Sequence, residues 1–440
     1  MIDTLLFPRR AAAMLPVVFL MGATRLAAQQ PVTRQDAERS ALSAGTRVAL
    51  ARADTAAALA RLLTARTLPN PTLSASASKA TPQKHVTLEL PILDALYTRG
   101  PRVGQASAAA RAARLLYASE RLAALVEVDT TYTKALAANA RFRLSRQTAR
   151  DADSLRKMAV ARRDAGDASD LDVDLATVTA GQQTNVATND SLAYMSALLT
   201  VQTLMGLRAD SISITLVDSL VLHPLDTVVV RRPIDSSAVV VGIPAPVAGS
   251  LITAQGDTGA ARIARTPAVL AAEASLAAAD QAVALQRRSA FQLPALSVGV
   301  EWGDPSGSEP GLLPLIGIVV PLPLFNRNQG PIAEARAERD RARVQVTAAR
   351  LEARQRLIEA VREREQLIAK VARDRDLVVR AQRVADRSLT AYREGASALP
   401  AVLEARRTAR EVLQQYIDDL AALQTVNTEL RALTQSITVP

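Results

Sequence analysis

Residues 315–335 read LIGIVVPLPLFNRNQGPIAEA, and residues 86–106 read VTLELPILDALYTRGPRVGQA. Both stretches begin as an apolar strand pattern, pass a proline and a glycine, and lead into a long helical pattern. Pro91 and Pro321 are 230 residues apart, and Gly100 and Gly330 have the same spacing. The chain is therefore predicted to build the same unit twice: a strand, a proline, a glycine turn and a long helix.

The repeat extends over most of the sequence, because Pro69 and Pro294 are 225 residues apart and Gly166 and Gly395 are 229 residues apart. The first repeat, residues 29–206, is predicted to contain a helix, a β-hairpin (72–93), a long helix (101–164) and a return helix (170–205). The second repeat, residues 263–440, is predicted to contain a helix, a β-hairpin (293–325), a long helix (331–394) and a return helix (400–433). Residues 207–262 form a linking segment with short strand patterns and no assignable chemistry.

The two long helices are each predicted to extend about 95 Å, at a rise of about 1.5 Å per residue. A short glycine break separates each from its return helix, so each pair is expected to fold back antiparallel. The apolar positions of the second long helix step by 3 and 7 residues, which indicates a coiled-coil seam. These positions are Ile358, Val361, Ile368, Val371, Val378 and Ala381.

The hairpin strands alternate apolar with small or polar residues, and their length suits tilted strands that cross a bilayer. Four strands cannot close a barrel, and an open edge in lipid leaves backbone groups unpaired. Three chains that share twelve strands would leave a water-filled lumen. The predicted lumen-facing residues are Ser74, Ser76, Thr87, Glu89, Ser297, Gly299 and Glu301. The alternative is a soluble hairpin packed on its own helices, in a periplasmic coiled-coil scaffold.

Residues 1–28 have the layout of a secretory signal peptide. Arg9 and Arg10 precede an apolar run, and Ala27 and Ala28 end the segment. No other apolar run reaches the length of a transmembrane helix, so membrane insertion is expected to use the strands. The sequence contains no cysteine, which excludes disulfides, thiolate metal sites, cysteine nucleophiles and a lipid-anchored cysteine.

The net charge is +10, from 53 basic and 43 acidic residues. Arginines alternate with acidic residues along the helices and aromatic residues make up only 3%, so solvated helix faces explain the charge better than nucleic-acid binding. His85 and His223 are far apart, and no catalytic set, phosphate loop or metal cluster is present in the sequence. We therefore predict neither an enzyme nor a bound cofactor or metal. A basic helical nucleic-acid binder remains the alternative for a chain that is not exported.

The sequence resembles the TolC-like outer-membrane efflux proteins over nearly all of its mature length. The resemblance rests on two pairs of motifs at matched positions in the two halves, together with one motif after the first return helix and one at the second glycine turn. They are LPNPTLSAS (68–76), VTLELPI (86–92), LMGLRAD (204–210), FQLPALSVGVEW (291–302), GIVVPLPLFNRNQG (317–330) and YREGASALPAVLEAR (392–406).

The resemblance implies a mainly α fold with a small β part. A homotrimer would form an α-barrel across the periplasm and a twelve-stranded transmembrane β-barrel in outer-membrane lipid. It also implies a passive exit duct, which a periplasmic adaptor connects to an inner-membrane pump of the RND or ABC type. A type I secretion duct, which exports proteins, is a variant of the same function. Residues 207–262 would lie in the equatorial region.

The turns between long and return helices correspond to the adaptor-docking tips of that family. These turns contain Gly166, Ser169, Gly395 and Ser397, although each glycine also simply lets the chain reverse. The family narrows its tunnel near the tips with acidic residues. Glu404 matches one such position, the other falls on Ala401, and Asp172 in the first half could supply the missing acidic ring. Asp172 could equally be an acid that stabilises a helix N-terminus.

Overall fold

The computed structural model describes residues 30–79, 82–220, 266–291, 293–303 and 311–434. The predicted signal peptide and residues 221–262 of the linking segment lie outside the described residues. The first repeat contains β1 (Gln30–Val32), α1 (Arg34–Ala44), α2 (Thr46–Arg66), β2 (Thr72–Ala77), β3 (Lys84–Leu90), α3 (Ile92–Asp164) and α4 (Asp170–Leu204). After β4 (Ile214–Leu216), the second repeat contains α5 (Pro267–Arg288), β5 (Ala295–Trp302), β6 (Leu313–Val319), α6 (Gln329–Arg393) and α7 (Leu399–Thr434).

The two hairpins join into one antiparallel sheet with the strand order β2-β3-β5-β6. The helices next to this sheet pack in the matching order, α2 on α3, α3 on α5 and α5 on α6. Towards the other end of the molecule the order is α4, α3, α7 and α6. Helices α3 and α6 contain 73 and 65 residues, so they extend about 110 Å and 98 Å. The mainly α fold with a four-stranded hairpin sheet and long antiparallel helices is confirmed.

Helix α3 begins at Ile92, earlier than the predicted residue 101, and Pro101 lies inside it. A proline inside a helix leaves the carbonyl four residues earlier without its usual donor. Here the guanidinium of Arg288 donates to the Tyr97 carbonyl at 3.2 Å and lies over the Tyr97 ring. Gly100 is thus a helical residue, and the predicted glycine turn at this position is wrong.

The second hairpin is also shorter than predicted, because β6 ends at Val319 and not near residue 325. Pro321 and Pro323 lack the N–H groups that a strand needs for its ladder. The turn into α6 is made by Asn328, whose φ is +59°. Its side-chain amide donates to the Gln286 carbonyl at 2.7 Å, which fixes the start of α6 against α5.

The first predicted helix is divided at Gly45, which has extended backbone geometry between α1 and α2. A Cβ at Gly45 would lie 2.3 Å from the Ala41 carbonyl oxygen. Only glycine therefore permits this close bend.

By length and composition alone, α5 meets the criteria for a membrane span, contrary to the expectation that no apolar run outside the predicted signal peptide is long enough. An 18-residue window of this helix has a mean hydropathy of 1.4. The value reflects its many alanines, and the helix also carries Asp280 and Glu273. Glu273 pairs with Arg350 of α6 at 2.6 Å.

The largest cluster of buried apolar side chains lies near the middle of the helices. Tyr132 is fully buried there, with Val32, Leu136, Val201 and Ile214 among its neighbours in the cluster. The Tyr132 hydroxyl lies 2.9 Å from both the Val32 carbonyl oxygen and a carboxylate oxygen of Asp218. Burial raises the pKa of Tyr132 well above its ordinary value. This cluster connects the parallel β1–β4 pair to the long helix α3.

Candidate channel surface and periplasmic tips

The strand register divides the four-stranded sheet into a polar and an apolar face. Ser74, Thr87 and Gly299 are direct cross-strand neighbours, and Thr72, Glu89 and Ser297 form the next such row. Ser76, His85 and Glu301 form a third row. Cross-strand neighbours point to the same face of a sheet. All seven residues predicted to face a lumen therefore share one face.

The polar face also contains specific side-chain contacts. The hydroxyls of Ser74 and Thr87 are 2.6 Å apart, and His85 Nδ1 is 3.0 Å from Glu301 Oε1. A Cβ at Gly299 would lie 2.5 Å from the Val86 carbonyl oxygen. Because glycine occupies that position, β5 can approach β3 closely and join the two hairpins.

The opposite face is apolar and exposed. One cross-strand row is Leu73, Leu88, Val298 and Ile316, and another contains Leu90, Leu296 and Ile318. Leu73 and Ile316 are 71% and 76% exposed. An apolar sheet face of this extent requires lipid or another protein to cover it.

The outer edges of β2 and β6 have no strand partner among the described residues. The outermost helices of the packed rows, α2, α4 and α6, also carry exposed apolar side chains. They are Leu50 and Leu63 on α2, Leu171, Leu175, Val178, Leu192 and Met195 on α4, and Val344, Leu351, Leu377, Val379 and Val384 on α6. Within the part that the structure describes, both lateral edges of the single chain therefore have an unpaired strand edge and exposed apolar helix side chains that nothing covers.

The first tip turn reverses the chain at Gly166, as the sequence predicts. Gly166 has a φ of +83°, and the N–H groups of Gly166 and Asp167 donate to the Arg163 and Arg162 carbonyls at 2.8 Å. Ser169 is the N-cap of α4, and its hydroxyl accepts from the Asp172 N–H at 3.2 Å. Asp172 in turn accepts from the N–H and the hydroxyl of Ser169. The carboxylate of Asp172 thus forms a capping box, as a helix N-terminus favours.

The second tip turn is built in the same way. Gly395 has a φ of +74°, and its N–H donates to the Tyr392 carbonyl at 3.1 Å. Ser397 is half-buried in this turn. Glu404 lies one turn into α7, is exposed, and pairs with Arg407 at 3.2 Å.

The two tips contact each other through Arg162 and Tyr392. The Arg162 guanidinium donates to the Tyr392 carbonyl at 2.6 Å and lies 4.8 Å from the centre of its ring. Leu155, Leu399 and Val402 pack beside Tyr392 in one buried cluster. Burial raises the pKa of Tyr392, and the charge of Asp172 contributes to that rise. Asp172 therefore lies near both tips.

Replacing Ser169 with alanine should remove one half of the capping box. We expect a loss of about 1 kcal/mol in the free energy of unfolding. Asp172→Ala should remove the other half at a similar cost, because each variant leaves one of the two backbone N–H contacts in place. The double variant should therefore cost more than either single one. Chemical denaturation measures these values. An Asp172→Ala variant as stable as the wild type would contradict the capping role of Asp172.

Sequence reasoning missed a pair of buried carboxyl groups between α6 and α7. Asp374 is 8% exposed and Asp419 is 5% exposed, and the two groups share a hydrogen bond. Lys370 pairs with Asp419 at 2.8 Å, and the Gln415 amide donates to the same carboxylate at 3.1 Å. Asp374 follows Val371 by three residues and precedes Val378 by four. An acid at a seam position was the signal that could have revealed this pair.

The environment moves the pKa values of the two acids apart. Burial and the Asp419 carboxylate raise the pKa of Asp374. Burial opposes ionisation of Asp419 too, but hydrogen bonds from Lys370, Asp374 and Gln415 outweigh it and lower the pKa of Asp419. When the pair binds a single proton, Asp374 is therefore the group expected to carry it.

We expect Asp374→Asn to stabilise the helical body most at neutral pH. The folded-state pKa of Asp374 lies above its unfolded value, so its stabilising contribution is present at low pH and is lost as pH rises through that pKa. An asparagine amide donates to Asp419 at any pH, and the gain near pH 7 should be about 1 kcal/mol. Thermal unfolding at about pH 4 and about pH 7 measures the difference. Asp376→Asn, at an exposed site on the same helix, is the control, and an equal gain there would contradict the shared proton.

Among the described residues, no group of three or more histidine, cysteine or acidic side chains is placed to hold a metal ion.

Residues 261–435 match the family model described as outer membrane efflux protein. No curated protein matches the sequence significantly. The matched residues cover the second repeat, from the start of α5 to the end of α7.

Solved outer-membrane proteins share the fold over nearly the whole chain. VceC from Vibrio cholerae is 15% identical, with a TM-score of 0.69 over 92% of this chain and 96% of that one. The outer-membrane channel CmeC from Campylobacter jejuni is 13% identical, with a TM-score of 0.69 over 98% and 94%. The open state of the channel MtrE from Neisseria gonorrhoeae is 16% identical, with a TM-score of 0.63 over 92% and 89%.

The resemblance to the outer-membrane efflux proteins is confirmed over the second repeat, and the shared fold extends over nearly the whole chain. The family match supports the function of an outer-membrane efflux channel. It also supports location in the outer membrane.

Proposed function

We propose that this outer-membrane efflux channel acts as the passive exit duct of a tripartite system. Residues 1–28 direct export, and three copies of the chain close a twelve-stranded barrel in the outer membrane. Below it, the helices of the three copies enclose a tunnel across the periplasm. Energy for transport comes from an inner-membrane pump of the RND or ABC type, which a periplasmic adaptor connects to the duct.

One observation supports the proposal most strongly: both lateral edges of the described chain, in the sheet and in the helices, lack a packing partner. Strands β2 and β6 are edge strands, and exposed apolar residues line α2, α4 and α6. An edge strand in lipid must be paired. Pairing β2 of one copy with β6 of the next satisfies both edges, and a head-to-tail contact of this kind closes into a ring.

The polar sheet face lines the lumen in this proposal, with Thr87, Glu89, Ser297 and Glu301 exposed to water. The apolar face meets lipid. Substrate choice belongs to the pump in this proposal.

In this proposal, the tips are responsible for adaptor docking and for closing the tunnel. The turns containing Gly166, Ser169, Gly395 and Ser397 dock the adaptor, and Glu404 with Asp172 narrows the closed tunnel. Carboxylates from three copies would favour cations and repel one another. The Arg162–Tyr392 contact between the tips supports this assignment, because adaptor binding could separate the two turns there.

Single-channel recording with the purified protein in a planar bilayer tests the proposal. We expect detergent-solubilised trimers that insert and give a small basal conductance. Glu404→Ala and Asp172→Ala should increase that conductance, whereas Glu411→Ala, an exposed acid further along α7, should not. A monomer that remains folded in water without detergent would show a soluble periplasmic scaffold instead.

A further inference from the structure

The net charge of the described chain is concentrated where the helices meet the sheet. We define the collar as residues 52–66, 92–114, 280–288 and 327–343, the helix ends closest to the two hairpins. The collar contains 14 arginines and 6 acidic residues, whereas the rest of the described chain contains 32 basic and 31 acidic residues. The collar is therefore strongly cationic and the remainder is nearly neutral.

The collar arginines are also unusual in their lack of partners. Within the described part of the chain, Arg339 is the only one of them with an ion pair, to Asp340. Arg102 and Arg288 donate to backbone carbonyls. All except Arg102 and Arg339 are exposed. In the rest of the described chain, by contrast, at least ten arginines have an ion pair, as Arg356 does with Glu352.

An apolar rim lies between the collar and the sheet. Its side chains point into open space: Phe325 is 94% exposed, Leu322 71%, Phe291 67% and Leu324 66%. Phe325 precedes the collar residue Arg327 by two positions. Aromatic and aliphatic residues followed by cations reproduce the layering of a membrane interface, from acyl chains to phosphate groups.

We propose that the collar binds the anionic phospholipid headgroups of the periplasmic leaflet, with the apolar rim inserted beside them. This proposal rests on the proposed function, because it needs the hairpins in the membrane. Arginine suits phosphate through two parallel N–H donors. The surface would set the depth of the duct and favour membranes rich in phosphatidylglycerol.

The test measures lipid retained by the purified full-length protein in detergent. We expect dioleoylphosphatidylglycerol to be retained at least about tenfold over dioleoylphosphatidylcholine at low salt, with the preference falling as salt rises. Substituting glutamine for Arg66, Arg99, Arg287 and Arg336 together should abolish the preference. The matched control substitutes glutamine for Arg375, Arg380, Arg383 and Arg387, which are exposed, lie far along α6 and have no ion pair among the described residues. That variant should retain the wild-type preference.

Three results would overturn the proposal: equal retention of both lipids by the wild type, a preference that survives in the collar variant, or full competition by glycerol phosphate at matched concentration. The last result would indicate a soluble-phosphate site. If the collar variant does not fold, the wild-type comparison across lipids and salt decides alone. Failure of the channel function itself would appear separately, as no trimer and no conductance in phosphatidylcholine bilayers.

Discussion

Ile316→Arg is expected to prevent assembly of the protein in the outer membrane. Ile316 lies in the middle of β6 on the apolar face, is 76% exposed, and has Val298 as its cross-strand neighbour. An arginine that faces lipid near the middle of a barrel costs about 2–4 kcal/mol. The cost arises in each of three copies, so a trimer would lose about three times that amount. Outer-membrane fractionation and the trimer band on a mild gel measure the loss.

The neighbouring residue provides the control for this substitution. Leu315 lies in the row of Ser74, Thr87 and Gly299 on the polar face. Leu315→Arg would therefore face water and should assemble at close to wild-type levels. Equal loss in both variants would mean that the two faces of the sheet do not differ in environment.

Glutamates in place of both Leu192 and Met195 are expected to stop the chains from associating. These side chains are 60% and 46% exposed on α4, at a lateral edge of the helical part. Burying each apolar side chain in an interface contributes about 1.5–3 kcal/mol, and a buried unpaired carboxylate costs more. Light scattering in detergent should show monomers.

Glutamates at Ala193 and Thr200 are the control for charge alone, because these are exposed, non-interface positions on the same helix in this account. This variant should remain trimeric. If both variants remained trimeric, the exposed side chains of Leu192 and Met195 on α4 would have no part in assembly.

Much of this architecture could be predicted because the repeat is marked by residues with special backbone requirements. Gly166 and Gly395 both adopt positive φ, so their spacing identified the two tip turns. The alternation of residues along the strands correctly predicted which residues share a face of the sheet, because side chains in a strand alternate with a period of two.

The differences from the sequence-based predictions arise from contacts, both distant and local, that residue spacing does not show. The sequence predicts a helix start at Pro101, because it cannot show that Arg288 donates to the Tyr97 carbonyl. The break at Gly45 depends on a local bend in a chain that otherwise reads as continuous helix. From the sequence, Asp172 could belong to an acidic ring in the tunnel or stabilise the N-terminus of a helix. Its contacts with Ser169 in the structure identify it as a capping residue.

The shared acid pair shows the same limitation. Asp374 and Asp419 lie on different helices, and their pairing depends on how α6 and α7 pack. Sequence spacing identified the seam but not the residue opposite each position.

Disulfide trapping across the sheet edges tests the central claim most directly, because the chain contains no cysteine of its own. Ser74→Cys on β2 would be combined in turn with Leu313→Cys, Leu315→Cys or Gly317→Cys on β6. Within one chain these edges are separated by two strands, about 14 Å at about 4.8 Å per strand, and a disulfide requires Cα atoms within about 7 Å. We predict that at least one pair oxidises to a covalently closed trimer in membranes. Monomers at every register would contradict a barrel shared by three chains.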